Sequence, residues 1–154
     1  MLLTAVDGSE LELTVLGYQF PHAMNALDDW LVLYVRMKTG TQTWEGKDPA
    51  LVWKEARGLA NWLDGIASDN PSSGWSIEFT EPVVVFEALR RETDTILLRV
   101  YCQMFPSPAP GEHFSKIFLF TREKLRKGAA VLRSELQRFP SRFPNDESSD
   151  GMRS

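Results

Sequence analysis

Leucine and glutamate alternate from Glu10 onward. Leu11, Leu13 and Val15 fall on one face, and Glu10, Glu12 and Thr14 on the other. A period of two belongs to a strand with one buried face. Asp7-Gly8 separates this strand from the apolar MLLTAV, a hairpin signal. Residues 30–37 are largely apolar on both faces and predict a central strand. Thr39-Gly40-Thr41 turns it into a short strand around residues 42–45. Another strand opens at Trp75, with Ile77 and Phe79 on its face, and Glu81-Pro82 breaks it. Residues 83–89 and 95–104 flank a turn in RRETD, and residues 113–120 form the last strand.

Two stretches change period. Val52, Ala56, Leu59, Leu63 and Ile66 make one helical stripe. Asp48 suits its N-cap and Pro49 its first turn, while Gly65 or Asp69-Asn70-Pro71 stops it. Leu125, Ala129, Leu132 and Leu136 make the second stripe, starting at Thr121. The pattern predicts an α+β fold: a mainly antiparallel sheet of about 7–8 strands, with helices over about 49–66 and 122–138 packed on it. Residues 1–143 are expected to form a single domain, and 144–154 a disordered tail. No internal repeat is visible.

Composition narrows the class. A chain of 154 residues with 43% hydrophobic and 25% charged residues is globular and needs no staples. Cys102 is its only cysteine, which excludes an intramolecular disulfide or a thiolate metal cluster within one chain and fits a reducing compartment. MLLTAVDGSE is too short and acidic for a secretory leader. No apolar run approaches the roughly 20 residues that span a bilayer.

The charge is uneven. Residues 1–120 hold 9 Lys/Arg against 16 Asp/Glu, a net of −7, and residues 121–154 hold 8 against 5, a net of +3. An acidic body argues against general nucleic-acid binding and leans toward a basic partner, although acidity also serves solubility. The last helix is basic through Arg122, Lys124, Arg126, Lys127, Arg133 and Arg138. A solvated face accounts for it, with nucleic-acid contact as the alternative.

Candidate chemistry is sparse. His22 and His113 have no second ligand at metal spacing, and Cys102 sits in an apolar strand where nothing lowers its pKa. Glu10, Glu12 and Glu78 alternate with apolar residues as a solvated strand face does. Glu81, before Pro82, stands where a break re-aims a side chain. Among the five tryptophans, Trp30, Trp62 and Trp75 read as core, and Trp44 and Trp53 as surface. No catalytic, cofactor or metal residues are assigned.

Several pieces then resemble one family. They are Gly17-Tyr18-x-Phe20-Pro21, Asp29-Trp30-Leu31, Leu59-x-x-Trp62-Leu63, Glu81-Pro82 and Phe139-Pro140-x-Arg142. In this order they resemble the WapI-type immunity proteins of bacterial polymorphic toxin systems, over roughly residues 8–142. The resemblance implies a cytoplasmic protein without catalytic residues or cofactor. It would bind a cognate toxin domain, such as a basic nuclease, and block its active site. Nucleic acid and membrane are not implied as partners, and the chain is expected as monomer or homodimer. Asp28, Asp29, Trp44 and Glu45 are the candidate partner-binding residues, an aromatic anchor ringed by acids. The alternatives are a small-ligand module with a pocket between sheet and helix, and a hydrolase using buried carboxylates.

Overall fold

The computed structural model describes residues 1–143. The tail expected at 144–154 lies outside the described residues. Eight strands run β1 (Leu2–Thr4), β2 (Glu10–Tyr18), β3 (Trp30–Thr39), β4 (Gln42–Val52), β5 (Ser76–Ile77), β6 (Val84–Arg91), β7 (Thr95–Cys102) and β8 (Ser115–Thr121). Helix α1 (Trp53–Ala67) follows β4, and α2 (Arg122–Arg138) follows β8. The α+β class and antiparallel pairing are as expected, but the strands divide into two four-stranded sheets, β1-β2-β3-β4 and β5-β6-β7-β8. Each sheet is a meander followed by a helix, so one element order occurs twice although no sequence period announces it.

The helices tie the halves together. Trp62 of α1 meets Phe86 of β6, with ring centroids 6.5 Å apart. Helix α2, which follows the second sheet, lies on β1 of the first. At Gly128 an added Cβ would stand 2.4 Å from Leu3 Cδ2, so any larger residue would force the buried Leu3 side chain to shift. Val6 N–H donates to Leu119 O at 2.9 Å and joins the sheets at one edge. The inner faces of both sheets and both helix stripes share one buried cluster, which includes Ala56, Leu59, Leu63, Leu125, Ala129, Leu132 and Leu136; Val52, expected at the head of the first stripe, is half-buried and ends β4.

Helix α1 begins later than its sequence signals suggest. Asp48 and Pro49 belong to β4, which runs on to Val52. Strand β4 lies at the end of its sheet, and a bulge between Leu31 and Val32 absorbs Ala50 there. An edge strand tolerates a proline that cannot donate to a ladder. The helix start is closed instead by Glu55, whose carboxylate accepts from Val52 N–H at 3.1 Å and Thr80 N–H at 2.6 Å. At the other end Asp69 adopts φ 55, and Asn70 N–H returns to Gly65 O at 2.9 Å. Gly65 is therefore inside the helix and Asp69-Asn70 ends it.

Three of the six cations of α2 are committed to α1 and the turn that ends it. Arg122 donates to Ile66 O and Ala67 O at 3.2 Å each, and pairs with Asp69 at 2.9 Å. Arg126 donates to Ala67 O at 2.7 Å. Cations on the last carbonyls of a helix satisfy orphan acceptors and oppose the negative dipole end. Arg133 bonds Asn61 and Asp64 of α1 at 3.0 and 3.3 Å. The basic character of α2 is thus in good part an internal bond to α1.

Trp75 corrects a core assignment. It is 56% exposed, because β5 shrinks to Ser76–Ile77 and leaves Trp75 at the sheet margin. The Arg91 guanidinium lies 4.4 Å from its ring centroid and supplies the packing the core does not.

Candidate functional site

The far end of the first sheet collects most of the unusual geometry. Strand β2 bulges between Val15 and Gly17, leaving Leu16 exposed. Gly17 has φ 154, which side chains rarely adopt, so a glycine is needed there. The bulge in β4 lies on the other flank of Val32. Bulges re-aim side chains and are over-represented beside functional sites. Here Leu16, Val32 and Pro49 surround a depression of about 350 Å³, rimmed by Lys47 and Asp48.

The β2–β3 loop leaves from this end. Asn25 Oδ1 accepts from Leu27 N–H at 2.8 Å and caps a 3-10 turn over Ala26–Asp28. Asp28 Oδ2 accepts from Met24 N–H at 3.3 Å. The turn is ordered, yet Met24 is 87% and Leu27 78% exposed. Phe20, at the start of the loop, is exposed as well.

The chain following α2 clamps this loop from below. Arg142 Nε donates to Asp29 Oδ1 at 2.7 Å, and Arg142 Nη1 to Phe20 O at 2.9 Å. Its guanidinium carbon lies 4.1 Å from the centre of the Tyr18 ring. Tyr18 O–H donates to Pro140 O, and its ring meets Phe139 edge-on at 6.0 Å. Burial first, then the Asp29 charge, pushes the Tyr18 phenol above its ordinary value. Trp53 Nε1–H donates to Phe139 O at 2.8 Å, and Trp53 N–H to Asp29 O at 2.9 Å. Three of the five pieces that carried the family resemblance therefore meet here, at Tyr18, Asp29 and Arg142.

The four candidate partner-binding residues do not form one constellation. Asp29 is only 2% exposed and is bonded to Arg142, so it belongs to the clamp rather than to an open surface. Asp28 is half-buried in the turn. Trp44 and Glu45 are consecutive in β4 and point to opposite faces. Trp44 is half-buried against Phe114 at 5.0 Å, with Lys116 Nζ 4.5 Å from its ring. Glu45 is exposed on the outer face and accepts from Tyr34 O–H at 2.7 Å, which raises the Tyr34 phenol. Trp53, read as surface, is half-buried and bonded into the clamp. What sequence reasoning missed is the pair Met24 and Leu27. Their signal was two large apolar residues inside a loop without periodicity.

The remaining candidates are placed apart. Glu10 and Glu12 both pair with Arg36 at 2.9 Å, and Glu87 lies 3.6 Å from Arg99. Glu78, Glu81, His22 and His113 are exposed. Cys102 is buried, and desolvation pushes its thiol up to about 11. Among the described residues no group of three or more His, Cys, Asp or Glu is placed to hold a metal ion. No helix among them is long and apolar enough to cross a membrane. A groove of about 460 Å³ runs between the two helices, over Trp53, Leu136 and Pro140, rather than between sheet and helix.

Fold and site define a two-sheet α+β domain whose C-terminal segment clamps an exposed apolar loop. The domain has a family: residues 1–140 match the Immunity protein WapI-like family, and the chain belongs to it. No curated protein matches. The chain is also similar to one in a solved structure titled "Structure of a guideRNA-binding protein complex bound to a gRNA", with TM-score 0.42 and 14% identity, covering 86% of this chain and 81% of that chain.

Proposed function

We propose that this protein is an immunity protein that binds a cognate toxin domain and neutralises it by covering its active site. The observation that carries the reading is membership of an immunity family across residues 1–140. Occlusion needs shape and charge complementarity and no bond-making residue in the inhibitor. The net of −7 over residues 1–120 supports a basic partner face, such as the substrate groove of a nuclease. The reading implies a cytoplasmic protein, meeting the toxin where it acts, and no cofactor. The test uses the variable C-terminal domain of the toxin encoded immediately upstream, silenced by mutation. Mixed with this protein and run by size exclusion with light scattering, the pair is expected to elute as one stoichiometric complex. Independent elution of the two at micromolar concentration contradicts the reading.

One observation favours a second reading, a small-ligand module. The groove between the helices offers the Trp53, Leu136 and Pro140 surfaces beside the Asn61 and Gln137 amides, an apolar floor with a few polar groups. Native mass spectrometry of protein purified from its own cells tests it. A retained small molecule of fixed mass supports the module, and bare protein opposes it.

A further inference from the structure

Met24 and Leu27 stand almost wholly in solvent on a turn that is not loose. Asn25 caps the turn, Asp28 closes it back onto Met24, and Arg142 fixes both its approach and its exit through Phe20 O and Asp29. Large apolar side chains held in a defined geometry, and covered by none of the described residues, mark an interaction surface. The loop that carries them joins β2 to β3 at the bulged end of the first sheet. Two register shifts flank Val32 and turn Leu16 outward, two residues before the Tyr18 that the clamp holds. The charged neighbours of this surface are Asp28 in the turn, and Asp48 with Lys47 on the rim of the depression. Methionine adapts to irregular pockets, and preorganised anchors lose little entropy on binding.

We propose that this end of the molecule, the β2–β3 loop with Leu16 and Val32, is the surface that meets the toxin domain. The proposal rests on the immunity reading and names its interface. Met24 and Leu27 enter an apolar recess of the toxin, and Asp28 and Asp48 face Lys or Arg around that recess. The net of −7 over residues 1–120 selects a basic partner face, since like charges across an interface would be repelled. Arg142 acts as a positioning residue, because it holds the loop backbone and faces no partner itself. The anchor is therefore the loop rather than Trp44, whose ring packs on Phe114.

The experiment is surface binding kinetics with the silenced toxin domain encoded immediately upstream. The panel is wild type, Met24→Asp/Leu27→Asp, Leu16→Asp, Asp48→Lys and, on the outer face of the second sheet, Ile117→Asp. All five substitutions fall at exposed positions, and unchanged thermal melts confirm folding. The double loop variant is expected to raise Kd at least about 30-fold, mainly through dissociation. Leu16→Asp should raise it about 10-fold, and Asp48→Lys should slow association most at low salt. Ile117→Asp should stay within about 3-fold of wild type. If wild type binds and the loop variant stays within that same range, the interface assignment is overturned while the immunity reading stands. If wild type does not bind, the immunity reading falls, and the interface with it.

Discussion

Replacing Arg142 with alanine should unfold more than a surface ion pair would suggest. The side chain is 22% exposed and its partner Asp29 3%, at an Nε to Oδ1 distance of 2.7 Å. Arg142→Ala leaves the buried carboxylate without its cation and also deletes the bond to Phe20 O and the stacking on Tyr18. Breaking a buried pair by removing one partner costs about 3–5 kcal/mol, whereas an exposed pair is worth about 0–1 kcal/mol. The residual exposure of Arg142 places the expected loss near the lower end, about 3 kcal/mol. For a domain of this length that corresponds to a fall in Tm of roughly 6–12 °C. Arg142→Lys keeps the charge but loses the planar fork and the stack, and should recover about half of the loss. Asp29→Ala should cost a similar amount, and the double variant should cost less than the sum of the two singles. Urea unfolding followed by circular dichroism measures wild type and the four variants, with unchanged m-values securing the comparison. A loss below about 1 kcal/mol for Arg142→Ala, or additivity in the double variant, would refute the clamp.

Other outcomes follow from packing and burial. Gly128→Val should destabilise by about 1–3 kcal/mol in a thermal melt, because a Cβ would lie 2.4 Å from Leu3 Cδ2. Leu132, fully buried in the α2 stripe, should cost about 2–5 kcal/mol on truncation to alanine, read by urea midpoint. The Cys102 thiol, raised from 9.0 to about 11, stays protonated in the folded state through the mildly alkaline range and should resist iodoacetamide at pH 8 until urea unfolds the chain. Since the folded pKa is the higher one, its contribution is complete below pH 9.0 and declines as pH rises toward 11, so wild type should lose stability relative to Cys102→Ala across that window.

What could be read from the sequence was what depends on near neighbours. The two helical stripes, both ends of α2 and the alternation of β2 are local patterns, and their faces are buried as the periods require except at Val52, which is half-buried and ends β4. The division into two sheets was not legible, because alternation says that a strand has an inner face and not which strand it pairs with. Asp48-Pro49 carried a helix-start signal that the edge of β4 and its bulge overrode. Asp29 looked like a surface acid because its cation stands 113 residues later in the chain. Trp44 and Glu45 were grouped by adjacency, although consecutive residues of a strand point apart. The pieces Gly17-Tyr18, Asp29-Trp30 and Phe139-Pro140-x-Arg142 were visible as a resemblance, while their meeting in one clamp required the fold.

The central claim is that the protein neutralises a toxin domain by covering its active site. The most direct measurement is the activity of a candidate toxin domain, taken from a gene beside this one, titrated with this protein. The account predicts that activity falls linearly to zero at one equivalent and that higher substrate concentration does not restore it while the complex persists. Full toxin activity in the presence of excess protein would contradict it.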